Sequence, residues 1–355
     1  MKMDAEKAAV AAGLRYVHDE MPGIRRQRWG QGFSYILPNG NRLSSSPKAN
    51  SPESKVRDRI ESLAIPPNWE SVWICTDPNG HLQSTGRDGK GRKQYRYHPD
   101  WRKFRNLQKF DQMVPFGESL AELRSQTEAD LKLPNLPRRK VVATVVQLLD
   151  RTLIRVGNTQ YAEKNQSYGL TTLRGRHVEV KKTKVNFHFV GKSGIEHDIT
   201  LDHPKLAKVV RKCQDIPGYD LFQFYDEAGN KDTIDSGDVN DYLKQVTGKD
   251  FTAKDFRTWA GTAVVICTLQ NLGEWSAETE AKSNIVGAIK AAATQLGNRP
   301  ATCRKYYVHP KVPENYLAGK LLKQLSEAQK QKHPSNYQQW LAQHEQMVLS
   351  LLQIA

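Results

Sequence analysis

The 355-residue chain carries 53 lysines and arginines against 38 aspartates and glutamates, so its formal net charge is +15. This length allows two domains, and a basic surface of this size favours a polyanionic partner, most often nucleic acid. The four cysteines are far apart and form no CxxC pair, which argues against a disulfide framework or a zinc site. No apolar run is long enough to span a membrane, and the first residues lack a signal-peptide core. We therefore expect a cytoplasmic protein.

The first hundred residues have the pattern of a small β-rich domain. Residues 37–40 and 77–80 combine Pro, Asn and Gly, which favour tight turns. The aromatic and β-branched runs 33–36 and 72–74 beside them predict strands, and residues 51–63 have helical character. We assign residues 1–104 to an N-terminal, β-rich, DNA-binding domain.

Longer helical segments begin at about residue 105. An apolar-rich stretch predicts a helix over 141–154. A capping-box sequence at Thr252 predicts a helix that runs to about Gly273, and a further helix over 279–296 should end at Gly297. We assign residues 105–355 to a mainly helical domain, which makes the fold class α+β.

Beyond Lys311, apolar residues at helical spacing predict two more helices. Such spacing usually means core packing, and we assign these residues no function. The residues are Leu317, Leu321 and Leu325 on one face and Trp340, Met347 and Leu351 on the other.

A β-rich insert interrupts the helical domain. Val185, Phe187 and Phe189 alternate with polar residues, and the alternation resumes at Ile195. The pattern predicts a β-hairpin with Lys192 at its tip. Most turn lysines are merely exposed, but a mobile tip can also deliver an ammonium group into a site that closes on a substrate.

Several short motifs follow one another in a characteristic order. They are Ile-Arg-Val-Gly at 154–157, Tyr-Ala-Glu-Lys-Asn at 161–165, Gly-Leu-Thr-Thr-Leu at 169–173, Phe-Val-Gly-Lys at 189–192, Lys-Asp-Phe-Arg-Thr-Trp at 254–259 and Asn-Arg-Pro-Ala-Thr-Cys-Arg-Lys-Tyr-Tyr-Val-His-Pro at 298–310. Together they resemble the type IB DNA topoisomerases of the poxvirus and bacterial kind. Residues 86–97 are similar to the DNA-facing segment of that family, and residues 63–67 are typical of its bacterial members. The resemblance extends from about Tyr16 to Pro310.

The resemblance implies a catalytic set of Tyr307, Arg155, Lys192, Arg257 and Asn298. Tyr307 would attack a DNA phosphorus and leave a 3′-phosphotyrosyl link, and the free end would rotate before religation. The bond energy stays in the phosphotyrosine, so the resemblance implies relaxation of supercoils without ATP, metal or a small-molecule cofactor. It further implies a C-shaped clamp that closes round duplex DNA, with residues 98–117 as the connection and a recombinase-like catalytic domain. We expect a nucleoid-associated monomer.

These residue types suit the chemistry. A phenol has a pKa of about 10, so it is a weak nucleophile unless nearby cations favour the phenolate. Arg155 and Arg257 can provide those cations and bind non-bridging oxygens bidentately. Lys192, with help from Arg155, would act as the general acid for the leaving 5′-oxygen.

The residue at the position of Asn298 varies within the family. Many family members have a histidine where this chain has Asn298, and bacterial-type members share the asparagine. An amide donates a hydrogen bond but carries no charge.

Tyr306 and Tyr307 are both candidates for the nucleophile. Adjacent helical residues point about 100° apart, so only one of Tyr306 and Tyr307 can face the phosphate. We choose Tyr307 because it aligns with the family nucleophile when counted from Asn298. Tyr306 then packs or contacts the DNA backbone.

The expected DNA contacts are less strongly marked. Gln94, Tyr95 and Tyr97 lie in a basic segment with interleaved aromatic residues, which suits phosphate and groove-edge contacts. Burial of either tyrosine is an equal alternative. Tyr161 and Thr172 match family positions near the DNA backbone.

Two other functions compete with the topoisomerase. A tyrosine recombinase uses similar chemistry, but recombinases usually have His-x-x-Arg at the second arginine, and Lys254 occupies the histidine position here. A DNA-binding protein without catalytic activity would have no need for the complete set of five. A covalent DNA adduct separates both enzymes from plain binding.

Overall fold

The computed structural model describes residues 5–89, 91–327, 345 and 348–353. The chain divides into two compact units, Met1–Lys109 and Phe110–Ala355. This boundary and the expected one after residue 104 both lie within the helix Pro99–Asp111. Helices combine with antiparallel sheets, so the α+β class is confirmed. Within the described ranges, no helix has the length and apolar character needed to cross a membrane.

The N-terminal unit is built on a five-stranded antiparallel sheet with strand order β2-β1-β3-β4-β5. Its helices and strands are α1 (Ala5–Ala11), β1 (Ile24–Trp29), β2 (Gly32–Ile36), α2 (Pro52–Ser62), β3 (Glu70–Ile74), β4 (Leu82–Arg87) and β5 (Lys93–Tyr97), followed by α3 (Pro99–Asp111). Ile60 of α2 packs against Ile24, Val72 and Ile74 of the sheet, and these four apolar side chains are buried together. Ser51 caps α2 and accepts a hydrogen bond from the amide of Ser54 at 3.1 Å.

The predicted strands are confirmed as β2 and β3, but they do not pair with each other. Strand β1 lies between them, and its sequence Ile-Arg-Arg-Gln-Arg-Trp gave no strand signal because only Ile24 is buried. Both predicted turns form: the amide of Gly40 donates to the carbonyl of Leu37 at 2.9 Å, and that of Gly80 donates to Asp77 at 3.1 Å.

The second unit is mainly helical. Its elements are α4 (Met113–Asp130), α5 (Arg138–Thr152), α6 (Thr159–Asn165), β6 (Val178–Lys181), β7 (Lys184–Val190), β8 (Glu196–Asp202), α7 (Pro204–Gln214), β9 (Gln223–Tyr225), β10 (Lys231–Thr233), α8 (Ser236–Thr247), α9 (Ala253–Leu272), α10 (Glu278–Gln295), α11 (Pro300–Tyr306), α12 (Lys311–Leu317) and α13 (Lys320–Glu327). The predicted helices correspond to α5, α9 and α10. The capping box at the start of α9 is present, since the amide of Thr252 donates to the Asp255 carboxylate at 2.7 Å. Helix α9 is buried on nearly all sides and runs through the core.

The β-rich insert has three strands, in the order β6-β7-β8. The hairpin of β7 and β8 is confirmed, with Lys192 in its turn and with Val185, Phe187 and Phe189 buried. Strand β6 was not predicted, because its four residues are too short a run to show alternation.

Residues 311–327 form two short helices, α12 and α13. Gly319 separates them with a φ of 66°, so Leu317 lies on a different helix from Leu321 and Leu325. Leu321, Leu325 and Leu351 are buried in the core, as expected. Trp340 and Met347 lie outside the described residues.

Candidate active site

Arg155 lies in a loop that two motif segments form together. Helix α5 ends at Leu153, whose φ of 57° turns the chain away from the helix. The carbonyl oxygen of Arg155 accepts a hydrogen bond from the amide of Leu170 at 2.8 Å. A Cβ atom on Gly169 would lie 2.5 Å from that same oxygen, so only glycine allows this approach. The backbones of the Arg155 and Gly169 motifs therefore pack directly against each other.

Arg257 is buried in the core, where backbone carbonyls at the ends of two helices accept its hydrogen bonds. It lies on the second turn of α9 and is 3% exposed. One terminal nitrogen donates to the carbonyl of Leu153 after α5, and the other donates to that of Leu296 after α10 at 2.7 Å. Burial and the neighbouring charge of Arg155 lower the pKa of Arg257 to about 10, so it remains a cation at neutral pH. Since a guanidinium has five N–H donors, others remain for a substrate.

Asn298 pairs with Arg155 just after α10. Nη2 of Arg155 donates to the carbonyl of Gly297 at 3.3 Å and to Oδ1 of Asn298. The Nδ2 atom of Asn298 is buried, and no described residue accepts its hydrogens. The asparagine thus presents an unused donor beside a guanidinium, which is an arrangement suited to a phosphate oxygen. Burial lowers the pKa of Arg155, and the nearby Tyr307 acts in the opposite sense.

Tyr306 and Tyr307 have different settings. Tyr306 is the last residue of α11 and is 39% exposed, whereas Tyr307 follows the helix with a φ of −133°. The hydroxyl of Thr262 on α9 donates to the carbonyl of Tyr307 at 3.2 Å and fixes its backbone. The ring centroid of Tyr307 lies 5.2 Å from Cζ of Arg257. Tyr307 therefore adjoins the buried cation.

Lys192 approaches from the turn between β7 and β8. Ser193 adopts a φ of 66°, which produces a tight turn that the amide of Gly191 closes by donating to Ile195 at 2.7 Å. The side chain is exposed, and its Nζ lies 5.8 Å from the ring centroid of Tyr161. Within the described part of the chain Lys192 forms no ion pair.

Four members of the predicted set line one cavity of about 460 Å³, namely Arg155, Lys192, Arg257 and Tyr307. The fifth member, Asn298, is connected to these four residues by the hydrogen bond that it accepts from Arg155. Polar residues that we did not predict also line the cavity: Asn158, Ser167, Ser236, Asn240, Thr252 and Lys254. Lys254 had a sequence signal, because it lies three residues before Arg257 at the position compared with recombinases. Thr252 gave a signal only as a helix cap, and the other four residues, which tertiary packing brings to the cavity, gave none.

The expected DNA contacts in this unit differ in accessibility. Tyr161 on α6 lines the cavity and is 43% exposed. Thr172 is buried, and its hydroxyl bonds both the carbonyl and the amide of Gly169, at 3.1 and 3.0 Å. The geometry thus gives Thr172 a part in holding the Arg155 loop. A contact of either residue with DNA stays a prediction.

The expected DNA contacts in the N-terminal unit lie on the edge strand β5. Tyr95 is exposed and stacks on Tyr97 with the ring centroids 5.9 Å apart. Tyr97 is half-buried, and burial raises its pKa. Gln94 donates from Nε2 to the Asp88 carboxylate at 2.9 Å. Tyr95 is therefore the most accessible of the three.

Among the residues that the structure describes, no group of three or more His, Cys, Asp or Glu side chains is placed to hold a metal ion.

Comparisons with known families match both units. The catalytic core of eukaryotic DNA topoisomerase I matches residues 98–335, and the N-terminal domain of bacterial DNA topoisomerase IB matches residues 32–88. DNA topoisomerase 1B of Acanthamoeba polyphaga mimivirus is 32% identical over 297 residues, which cover 81% of this chain and 85% of that protein. DNA topoisomerase 1B of Vaccinia virus (strain Copenhagen) is 24% identical over 242 residues, covering 68% of this chain and 73% of that protein. DNA topoisomerase I of Monkeypox virus shows the same identity and coverage.

Proposed function

This chain belongs to the type IB DNA topoisomerases, and we propose that Tyr307 is the nucleophile with which it cuts and reseals one DNA strand. The phenolic oxygen forms a bond to phosphorus, and the bond from phosphorus to the 5′-oxygen breaks. The products are a 3′-phosphotyrosyl link and a free 5′-hydroxyl. The phenolic proton passes to water, and Lys192 supplies a proton to the 5′-oxygen. The reverse reaction reseals the strand after rotation.

The observation that carries this proposal is the position of Tyr307 beside Arg257 in a cavity that Arg155 and Lys192 also line. A phosphate under attack gathers negative charge on its non-bridging oxygens. Two guanidinium groups fixed by backbone carbonyls are already placed when that charge appears, so little reorganisation is needed.

Asn298 and Lys192 complete the proposed set in different ways. The unused Nδ2 donor of Asn298 supports a hydrogen bond to a non-bridging oxygen. The exposed ammonium of Lys192 is free to approach the leaving 5′-oxygen and act as general acid, with Arg155 nearby. A lysine suits this step better than an arginine, because it can release a proton.

The proposed reaction needs no ATP, since the phosphotyrosine conserves the energy of the phosphodiester. It needs no obligatory metal and no small-molecule cofactor, because arginines supply the positive charge that a metal ion supplies elsewhere.

DNA is the substrate of this enzyme class, and we propose that residues 1–104 and 105–355 act as two domains closing round a duplex as a C-shaped clamp. The helical domain would have the recombinase-like fold. Exposure supports Tyr95 and Tyr161 as DNA contacts, while Gln94, Tyr97 and Thr172 are weaker candidates. We propose a monomer that works at the nucleoid. A recombinase is not favoured, because the relatives described above carry topoisomerase names.

The test is relaxation of a supercoiled plasmid in EDTA without ATP. Wild type should relax the plasmid, Tyr307→Phe should not, and Tyr306→Phe serves as the matched control that retains activity. Relaxation by Tyr307→Phe would refute the proposed nucleophile. A requirement of the wild type for magnesium would refute metal independence.

A further inference from the structure

His197 lies between the two backbone segments that carry Lys192 and Asn298. It belongs to β8, and its ring packs against glycines on both sides. A Cβ atom on Gly191 would lie 2.7 Å from Nε2 of His197, and a Cβ atom on Gly297 would lie 2.5 Å from Cε1. Each of these glycines directly precedes a member of the proposed catalytic set. The ring thus acts as a spacer between the lysine turn and the asparagine segment.

The orientation of the His197 ring is fixed within the hairpin. His197 pairs with Phe189 in the register of β7 and β8, and the two rings stack with centroids 4.8 Å apart and planes 12° from parallel. Phe189 is itself buried at 4% exposure. The stacked pair therefore fixes the orientation of the His197 ring at the base of the lysine turn, on the side that faces Gly297.

The electrostatic setting keeps this spacer uncharged. Burial, followed by the charges of Arg155 and Arg257, lowers the pKa of His197 to about 4. At neutral pH the ring therefore adds no positive charge beside the two guanidinium groups. A lysine or arginine at this position would be repelled by both.

We propose that His197 is a positioning residue for Lys192, holding the lysine turn at a fixed distance from the segment that carries Asn298. This inference rests on the proposed role of Lys192 as general acid. His197 itself contacts neither the phosphate nor the leaving group in this account. Its effect comes from packing, because a displacement of about 1 Å in a catalytic group costs on the order of 100-fold in rate.

The experiment compares two leaving groups at a cleavage site first mapped with wild-type protein. In one duplex the scissile phosphate has its normal 5′-oxygen, and in the other a sulfur atom replaces that bridging oxygen. A thiol has a pKa of about 8.5, so the thiolate departs without a proton and needs no general acid. Single-turnover formation of the covalent adduct is measured for wild type, His197→Ala, His197→Phe and Lys192→Ala.

Positioning predicts that His197→Ala loses roughly 10- to 100-fold in rate on the oxygen duplex and recovers on the sulfur duplex. His197→Phe keeps the stacked ring and should recover most of the rate on oxygen. Equal losses of His197→Ala on both duplexes, or no loss on oxygen, would overturn the inference. If the alanine variant fails to fold, His197→Gln replaces it, since it lacks the ring and should show the same loss and recovery.

The Lys192→Ala variant shows whether the general-acid role of Lys192 or the positioning role of His197 is wrong. Recovery of Lys192→Ala on the sulfur duplex supports the general acid. If it does not recover, the role of Lys192 is wrong. If it recovers and the His197 variants do not, only the positioning role is wrong.

Discussion

The two halves of the site hold their cations in opposite ways. The arginine half consists of Arg155, Arg257 and Asn298. Arg257 is buried, the other two are half-buried, and hydrogen bonds to carbonyls at helix ends fix both guanidinium groups. The lysine half, Lys192 with Tyr161, is exposed on a turn and a short helix. The difference suits the two tasks, because charge stabilisation gains from preorganised donors, whereas a proton donor must meet a substrate that arrives from solvent. Variants in the two halves should therefore differ in their effect on stability.

The largest effect is expected in the lysine half. Lys192→Ala should slow covalent adduct formation by about 100- to 10,000-fold, the usual contribution of a general acid. Lys192→Arg should fail as well, since a guanidinium does not release its proton. Because the side chain is exposed, both variants should keep the thermal midpoint of wild type. Cleavage by Lys192→Arg at the wild-type rate would refute the role of Lys192 as general acid.

In the arginine half, Arg257→Lys should lower both rate and stability. An ammonium cannot reproduce the fork that bonds two carbonyls and a phosphate, so we expect a loss of about 100- to 1,000-fold in cleavage. The thermal midpoint should also fall, because the carbonyl of Leu153 or Leu296 loses its donor. Arg211→Lys, on the exposed surface of α7, is the control for the substitution itself. An unchanged midpoint for Arg257→Lys would contradict the anchoring described here.

A smaller effect is expected at Asn298. Asn298→Ala removes one buried donor, worth about 1 to 3 kcal/mol, so cleavage should slow by about 10- to 100-fold. Asn298→Asp should be slower still, because its carboxylate would pair with Arg155 and repel the phosphate. Adduct formation under single-turnover conditions measures both. If the aspartate variant is faster than the alanine variant, Asn298 does not face the phosphate.

The smallest effect concerns pH and stability. Burial, with the charge of Lys311, lowers the pKa of His309 to about 4, while an unfolded histidine titrates near 6.5. Between these values the unfolded chain binds a proton that the folded chain refuses, so stability should fall as the pH drops from 6.5 towards 4. Above 6.5 neither state is charged and the contribution vanishes. Urea unfolding at several pH values should show a shallower decline for His309→Gln than for wild type; equal declines would contradict this.

The sequence predicted those parts of the molecule that local rules decide. The cap of α9 at Thr252, the glycine after α10 at position 297 and the turn that holds Lys192 could all be predicted. The reason is that capping and alternation are visible over a few residues. Strand β1 escaped prediction because only Ile24 of its six residues is buried, so its sequence shows no alternation. The hydrogen bonds of Arg257 could not be predicted, since they join residues 104 and 39 positions apart. The place of His197 depends on two glycines brought together only by folding.

The catalytic roles themselves stay predictions. The structure gathers the five residues that the motifs indicated, but the motifs and the resemblance supplied the roles. The comparisons establish the family.

Capture of the covalent intermediate tests most directly whether Tyr307 is the nucleophile. Supercoiled or linear duplex DNA is mixed with protein, denatured with detergent and analysed for protein-linked strands, and the linked peptide is then sequenced by mass spectrometry. We expect a 3′-phosphate on Tyr307, with adduct from wild type and Tyr306→Phe but none from Tyr307→Phe. An adduct on Tyr306, or a link to the 5′ end, would contradict it.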